Sequence, residues 1–331
     1  MKKILSIVGS TAGGKTDLAF FLANRLLDEQ KFEQIYLISA DSRQVYRGLE
    51  ITTGADVPTG FTLIKKPTAW LSYWQSPSQM IRLYGTSIIE PTEQWSLAHF
   101  SHMAQDIIES SPTNSLVIVI GGTGLYHTHL LSEDPTISVK PNPIIREQAD
   151  KLSLAELQNW LSQADQQKFQ QLNNSDLNNP RRLIRALEVA LSQVKPSLES
   201  SKSVPNAKQI YFGIKTDLKS IEQKIQQRVE QRWQSGALEE VQKILGLYPE
   251  HQLTKLPSAS ATGFREIAAY LNDQLDASEA KQLWFNREFR YAKRQLTWFK
   301  KYSQGFWQDF DQKNQRQVWE KFWDRLIDEV R

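Results

Sequence analysis

Three short segments hold side chains whose types and spacing could do chemistry together. The first, Gly9-Ser10-Thr11-Ala12-Gly13-Gly14-Lys15-Thr16, is a complete G-x-x-x-x-G-K-T loop. Its glycines let backbone N–H groups wrap a diphosphate or polyphosphate, Lys15 adds a full positive charge, and the Thr16 hydroxyl commonly completes a Mg²⁺ shell. The second, Ala40-Asp41-Ser42-Arg43-Gln44, follows the apolar run Gln34-Ile35-Tyr36-Leu37-Ile38-Ser39. Asp41 there has three readings: an acid that orients Mg²⁺, a general base facing an electrophile, or a cap on the following turn. The third, Gly121-Gly122-Thr123-Gly124-Leu125-Tyr126, follows Leu116-Val117-Ile118-Val119-Ile120. A nucleotide hydrolase commonly places a metal-orienting acid at such a point, and this chain has glycine. The glycines offer a backbone surface for close approach by a bulky substrate. Thr123 either hydrogen-bonds a substrate or leaving-group oxygen, or caps a helix.

The elements around these segments place them together. Ile4-Leu5-Ser6-Ile7-Val8 leads into the phosphate loop, and Leu18, Ala19, Leu22, Ala23 and Leu26 follow it at helical spacing. Continuous apolar strands alternating with helices predict a phosphate-loop α/β fold: a parallel sheet with helices on both faces. Ligands of such sheets lie at the carboxyl ends of the strands, so the three loops converge on one crevice. A helix is expected around Leu97–Glu109, and the 61–95 stretch shows no clean period. Residues 132–178, entered through Pro135, Pro141 and Pro143, read as a small helical insertion. The core then comprises 1–131 and 179–331, with Pro180–Leu191 an amphipathic helix, Ser192–Lys208 a linker and Gln209–Ile214 a strand. Nearly everything after Leu218 reads as helix.

Composition removes several chemistries. Cysteine is absent, which excludes disulfides, Cys-ligated zinc and a thiol nucleophile. No apolar stretch reaches membrane-spanning length, and Met1-Lys2-Lys3 leads straight into the first strand, so a cytoplasmic protein with no membrane partner is expected. His127 and His129, two apart, read as ordinary side chains. The net charge of +3 decides little, but its distribution is uneven. Between Trp284 and Tyr302 stand Arg287, Arg290, Lys293, Arg294, Lys300 and Lys301 against the single acid Glu288, interleaved with seven aromatic residues. Phe285, Phe289, Ala292, Leu296 and Phe299 fall on one helical face, and Arg290, Lys293, Arg294, Thr297 and Lys301 on another. With Arg181, Arg182 and Arg185 they make a candidate phosphate-backbone footprint.

Taken with Asn179-Pro180-Arg181-Arg182-Leu183-Ile184-Arg185-Ala186-Leu187-Glu188, Gly236-Ala237-Leu238-Glu239-Glu240-Val241, Thr262-Gly263-Phe264-Arg265-Glu266 and Tyr291-Ala292-Lys293-Arg294-Gln295-Leu296-Thr297-Trp298-Phe299, these segments resemble the tRNA dimethylallyltransferases, or tRNA isopentenyltransferases, of bacterial type. They occur in family order and span nearly the whole chain. The resemblance implies transfer of a dimethylallyl group from its diphosphate to N6 of the adenine on the 3′ side of the anticodon in tRNA. The phosphate loop, Gly9, Ser10, Thr11, Ala12, Gly13, Gly14, Lys15 and Thr16, would then hold the leaving diphosphate with Mg²⁺ on Thr16. Asp41 would accept the N6 proton, Thr123 would orient the adenine, and Arg228 would be a further diphosphate clamp. Expected tRNA contacts are Asp41, Ser42, Arg43, Gln44, Arg146, Arg181, Arg182, Arg185, Ser260, Gly263, Arg265, Lys293, Arg294, Gln295, Thr297, Trp298 and Lys300. The 132–178 insertion would grip the anticodon stem-loop, and nothing demands more than a monomer.

The chain departs from the family pattern in places. Ser10 stands where proline is usual, Glu50-Ile51-Thr52-Thr53-Gly54-Ala55-Asp56-Val57-Pro58 replaces the usual Asp-Ile-Gly-Thr-Ala-Lys-Pro, a Pro-His-His-Leu segment is missing near 80–88, and Lys224 stands for an arginine. Other functions consistent with the motifs are prenyl transfer to free adenine nucleotides, a phosphate-loop kinase or triphosphatase acting on RNA, and a non-catalytic RNA-binding protein.

Overall fold

The structure is a computed structural model and describes residues 2–55, 57–132, 134–192, 207–249, 253, 256–300, 305–310 and 312–330. It divides into two compact units, Met1–Leu131 with Val204–Arg331, and Ser132–Ser203.

The larger unit is built on strands β1 (Lys2–Gly9), β2 (Gln34–Ser39), β3 (Thr62–Ile64), β4 (Tyr73–Gln75), β5 (Ile81–Tyr84), β6 (Ser115–Gly121), β7 (Ala207–Lys215) and β8 (Phe306–Asp309). They form one sheet in the order β3-β4-β5-β2-β6-β1-β7-β8. From β5 to β8 every pairing is parallel, and β3-β4-β5 is an antiparallel extension at one edge. Helices of this unit include α1 (Lys15–Asp28), α2 (Glu50–Thr53), α3 (Leu97–Ser110) and α4 (Gly124–Thr128). The smaller unit holds α5 (Pro143–Ala149), α6 (Leu154–Ala164), α7 (Gln166–Gln171), α8 (Asn174–Leu177) and α9 (Pro180–Ala190). The larger unit resumes with α10 (Leu218–Gln234), α11 (Ala237–Leu247), α12 (Phe264–Leu271), α13 (Ala277–Phe299) and α14 (Gln315–Val330).

Strand side chains alternate between the two faces of a sheet, so a strand covered on both must be apolar throughout. In β1, Ile4 packs with α3 and α10–α13, whereas Leu5 and Ile7 pack with α1 and α14. The expected three-layer α/β core is thus formed. The 61–95 stretch, without a clean period, supplies three short strands. β8 interrupts the helical C-terminal region, a strand missed because it is only four residues long. β7 begins at Ala207, inside the expected linker, and the rest of that linker, 193–206, lies outside the described residues.

The smaller unit extends past the expected boundary at 178. Leu183, Ala186 and Leu187 of α9 pack on Ile145, Ala149, Leu157 and Leu161, so α9 is part of the helical insertion. Its arginines are not equivalent. The buried Glu188 carboxylate pairs with Arg146 at 2.7 Å and Arg185 at 3.1 Å, and Arg185 also donates to the Thr136 carbonyl at 2.7 Å. Arg182 pairs with Asp176, whereas Arg181 is exposed and has no ion pair among the described residues.

One side chain under the site sets an acid limit. His127 is fully buried on α4; its Nε2 lies 3.3 Å from the Gly121 carbonyl and its Nδ1 has no partner. Burial pushes its pKa from 6.5 down to about 3. The unfolded chain therefore takes up this proton first as pH falls, so the contribution of neutral His127 is complete above 6.5 and is lost on the way down to 3. Stability should fall by up to about 1.4 kcal/mol per pH unit across that window from this group alone. Denaturant melts of the wild type and His127→Gln between pH 4 and 7 check this; parallel curves would refute it.

Candidate active site

The phosphate loop leaves β1 at Gly9 and enters α1 at Lys15, with Gly14 in the left-handed region at φ 83° as the N-cap. The Lys15 ammonium donates to the Ser10 carbonyl at 2.6 Å, bending its side chain back over the loop. Its withdrawal from water, together with the Arg228 charge and despite the opposing effect of Asp41, brings its pKa down to about 8. Thr16 is exposed at the start of α1.

Beside the loop is a cavity of about 440 Å³ lined by Lys15, Thr16, Asp41, Gly122, Arg228 and Gln295, among others. The loops after β2 and β6 are joined by the Thr123 N–H donating to the Ala40 carbonyl at 3.1 Å. This contact sets Asp41 beside Thr123. Asp41 caps its turn, as one of its three readings proposed, accepting the Arg43 N–H at 2.8 Å and the Gln44 N–H at 3.4 Å. Both bonds use Oδ1, which leaves Oδ2 for the cavity. Thr123 occupies the N-cap position of α4, yet its hydroxyl makes no capping bond. That hydroxyl is buried beside the Tyr291 hydroxyl. The Tyr291 hydroxyl faces the same acid; burial, then the Asp41 charge, push it up to about 12, so it stays protonated.

Helix α13 reaches all of these loops. Gln295 Oε1 accepts the Thr11 N–H at 2.7 Å, and Arg228 of α10 donates to the Thr11 hydroxyl at 2.6 Å while pairing with the buried Glu288 of α13. The close approach demands glycine opposite: a Cβ on Gly122 would stand 1.9 Å from Gln295, and one on Gly124 would stand 2.0 Å from Trp298. The buried face of α13 is therefore Ala280, Trp284, Glu288, Ala292, Gln295 and Phe299. The expected apolar face packs inward, with Ala292 and Phe299 buried and Phe285, Phe289 and Leu296 half-buried against the core, and Trp284, Glu288 and Gln295 widen it. Polar Glu288 and Gln295 lie inward because they meet partners there, Arg228 and Arg232 at Glu288 Oε1 and the Thr11 N–H at Gln295. Glu288 was legible in one respect: it is the lone acid in a basic segment.

The expected tRNA residues divide by exposure. Arg290, Lys293, Arg294, Thr297 and Lys300 are exposed on α13, Lys301 lies outside the described residues, and Gln295 and Trp298 face inward against the loops after β1 and β6. Arg265 is exposed and donates to the Ala259 carbonyl at 3.2 Å; Ser260 donates to the Pro257 carbonyl at 2.6 Å, and Gly263 is buried under Trp284. Gln44 is held locally, its amide donating to the Gly54 carbonyl at 2.6 Å and its carbonyl accepting from Ser39 at 3.0 Å. Arg43 and Ser42 remain half-exposed at the rim.

No cluster of three or more His, Asp or Glu residues that could hold a metal by itself is found among the described residues. A Mg²⁺ ion that shares its shell between one hydroxyl, diphosphate oxygens and water needs no such cluster. Thr16 fits that requirement. No helix among the described residues is long and apolar enough to cross a membrane.

A mostly parallel sheet with helices on both faces and a G-x-x-x-x-G-K-T loop at the carboxyl end of β1 defines an α/β protein. Residues 44–302 match the family model described as IPP transferase. The chain is 36% identical over 307 residues to the tRNA dimethylallyltransferase of Gloeothece citriformis, covering 92% of this chain and 91% of that one. It is 30% identical over 328 residues to that of Trichodesmium erythraeum, covering 98% and 95%. Among solved structures it resembles the full-length tRNA isopentenylpyrophosphate transferase of Bacillus halodurans, with a TM-score of 0.65, 25% identity and coverage of 100% and 97%. A eukaryotic dimethylallyltransferase captured acting on tRNA shares the fold at a TM-score of 0.70 and 20% identity. The chain belongs to the tRNA dimethylallyltransferase family, and is an enzyme of the prenyl-transferring kind.

Proposed function

We propose that this enzyme transfers the dimethylallyl group of dimethylallyl diphosphate to N6 of the adenine 3′-adjacent to the anticodon in tRNA, giving N6-isopentenyladenosine. The observation that carries the proposal is a single cavity lined by both the phosphate loop and Asp41. The loop N–H groups, Lys15 and Arg228 hold the diphosphate and stabilise the charge it gains as the allylic C–O bond breaks. The Thr123 hydroxyl hydrogen-bonds the adenine and aims N6 at the allylic carbon. As the N–C bond forms, the N6 proton passes to Asp41 Oδ2. Thr16 would hold Mg²⁺, which would supply charge neutralisation for the phosphates. The target base lies in a loop and is extruded to reach the cavity.

Binding of the anticodon stem-loop falls to exposed cations, proposed on each unit separately: Arg265, Lys293, Arg294 and Lys300 on the larger, Arg181 and Arg182 on the smaller. Arg146 and Arg185 spend much of their charge on Glu188, so their part is to hold the insertion's shape. Arg181→Ala should therefore weaken stem-loop binding and reduce the slope of log K against log salt by about 0.7–0.9. Filter binding at several salt concentrations measures this, and an unchanged slope removes Arg181 from the interface.

The deciding experiment offers dimethylallyl diphosphate and Mg²⁺ with a synthetic anticodon stem-loop, and AMP in parallel. A mass gain on the stem-loop alone supports the proposal. Transfer to AMP alone would place the activity on free nucleotides, and ATP turnover without prenyl transfer would point to a kinase or triphosphatase.

A further inference from the structure

Arg228 and Arg232 lie one turn apart on α10, and both reach one carboxylate on α13. Arg228 pairs with Glu288 Oε1, and Arg232 Nη1 lies 3.6 Å from the same oxygen. Glu288 and Arg232 are only 2% and 7% exposed, so the cluster is withdrawn from water. Apolar side chains of similar volume often serve a fold equally well, so stability alone does not account for such a cluster.

Its two arginines lead to different parts of the site. Arg228 lines the cavity and donates to the Thr11 hydroxyl of the phosphate loop at 2.6 Å. Arg232 turns instead to the segment that follows the Asp41 loop, donating to the Thr52 carbonyl at 3.4 Å. It fills the space over Gly54, where a Cβ would stand 1.7 Å from its guanidinium. Glu240 grips the same segment from α11, accepting the Ile51 and Thr52 N–H groups at 2.7 and 2.8 Å. The Gly54 carbonyl in turn accepts the Gln44 amide at 2.6 Å, and the Gln44 backbone N–H is one of the two held by Asp41 Oδ1. A run of contacts thus joins Thr11 to Asp41, and Glu288 stands between its two halves. We propose that Glu288 is a positioning residue for both partners in the reaction: through Arg228 it sets the clamp on the donor's diphosphate, and through Arg232 it sets the turn that carries Asp41. This rests on the prenyl-transfer proposal, in which those two groups meet the donor and the N6 proton.

The test compares the full-length wild type with Glu288→Gln, Arg228→Met, Arg232→Met and the Glu288→Gln/Arg228→Met double variant. Calorimetry measures the affinity for inorganic diphosphate, and kcat is read on the anticodon stem-loop at saturating donor. Arg228→Met should weaken diphosphate binding about tenfold in the wild type but less than about threefold in the Glu288→Gln background, where Arg228 is no longer aimed. Arg232→Met should keep that affinity within about threefold of the wild type and lower kcat about tenfold, a split that general loosening of the core would not produce. An equal cost of Arg228→Met in both backgrounds overturns the Arg228 arm. So does tighter diphosphate binding by Glu288→Gln, which would make Glu288 a drain on the Arg228 charge. An unchanged kcat in Arg232→Met overturns the other arm. If Glu288→Gln melts early, Glu288→Met combined with Arg232→Met removes both buried charges together. That folded protein should show weaker diphosphate binding and a lower kcat, and wild-type values for both overturn the proposal. If the wild type transfers no prenyl group, the proposed function fails by itself and takes the Arg232 arm with it. The diphosphate titrations then still decide whether Glu288 aims Arg228.

Discussion

Asp41→Asn should lower kcat for prenyl transfer by about 10²–10⁴-fold, the range for loss of a positioned general base. Affinity for the stem-loop should be unchanged. Asparagine is the informative replacement because Asp41 does two things. Its Oδ1 caps the turn by accepting the Arg43 and Gln44 N–H groups, and an amide oxygen can keep that role. What asparagine cannot do is take a proton from N6. A fall in kcat and kcat/KM together, at constant stem-loop Kd, is the signature of an interaction made only in the transition state. If kcat stays within about tenfold of the wild type, Asp41 is a turn residue and the base lies elsewhere.

Lys15→Ala should cost about 10²–10³-fold in kcat, the scale for removing a preorganised charge from a developing oxyanion. The wild type also carries a pH signature. With the free-enzyme pKa brought down to about 8, the ammonium is lost as pH rises through that value. Inorganic diphosphate should therefore bind progressively more weakly above pH 8, and Lys15→Arg, which stays charged, should lose that dependence. A flat profile for the wild type would show that the Lys15 charge does not contribute. The same depression means that folding disfavours the charged lysine, so Lys15→Met should melt at a higher temperature while losing activity.

How far the sequence could be read followed from the physics of each element. Strands buried on both faces announce themselves as unbroken apolar runs, so β1, β2 and β6 and the loops after them were legible. The antiparallel extension was not, because β3, β4 and β5 have three or four residues each and no helical or alternating period emerges at that length. The outward cations of α13 and its apolar side were legible, but the burial of Glu288 and Gln295 was not. Periodicity assigns polar residues to water, and Glu288 and Gln295 are buried by partners 60 and 284 residues away in sequence. Glu188 was invisible for the same reason: it looks like a surface acid on a basic helix, yet it is the buried anchor of Arg146 and Arg185.

The double hold on Thr11 changes what donor binding has to accomplish. A phosphate loop that orders only around its ligand gives up about 1–2 kcal/mol of backbone entropy for each residue it fixes. Here Gln295 restrains the Thr11 amide and Arg228 its hydroxyl, so that part of the ordering is accomplished when the chain folds. Donor recognition then approaches the docking of a rigid key. Its heat reports the new phosphate contacts and displaced water, and its rate is governed by entry into the cavity more than by rearrangement of the loop.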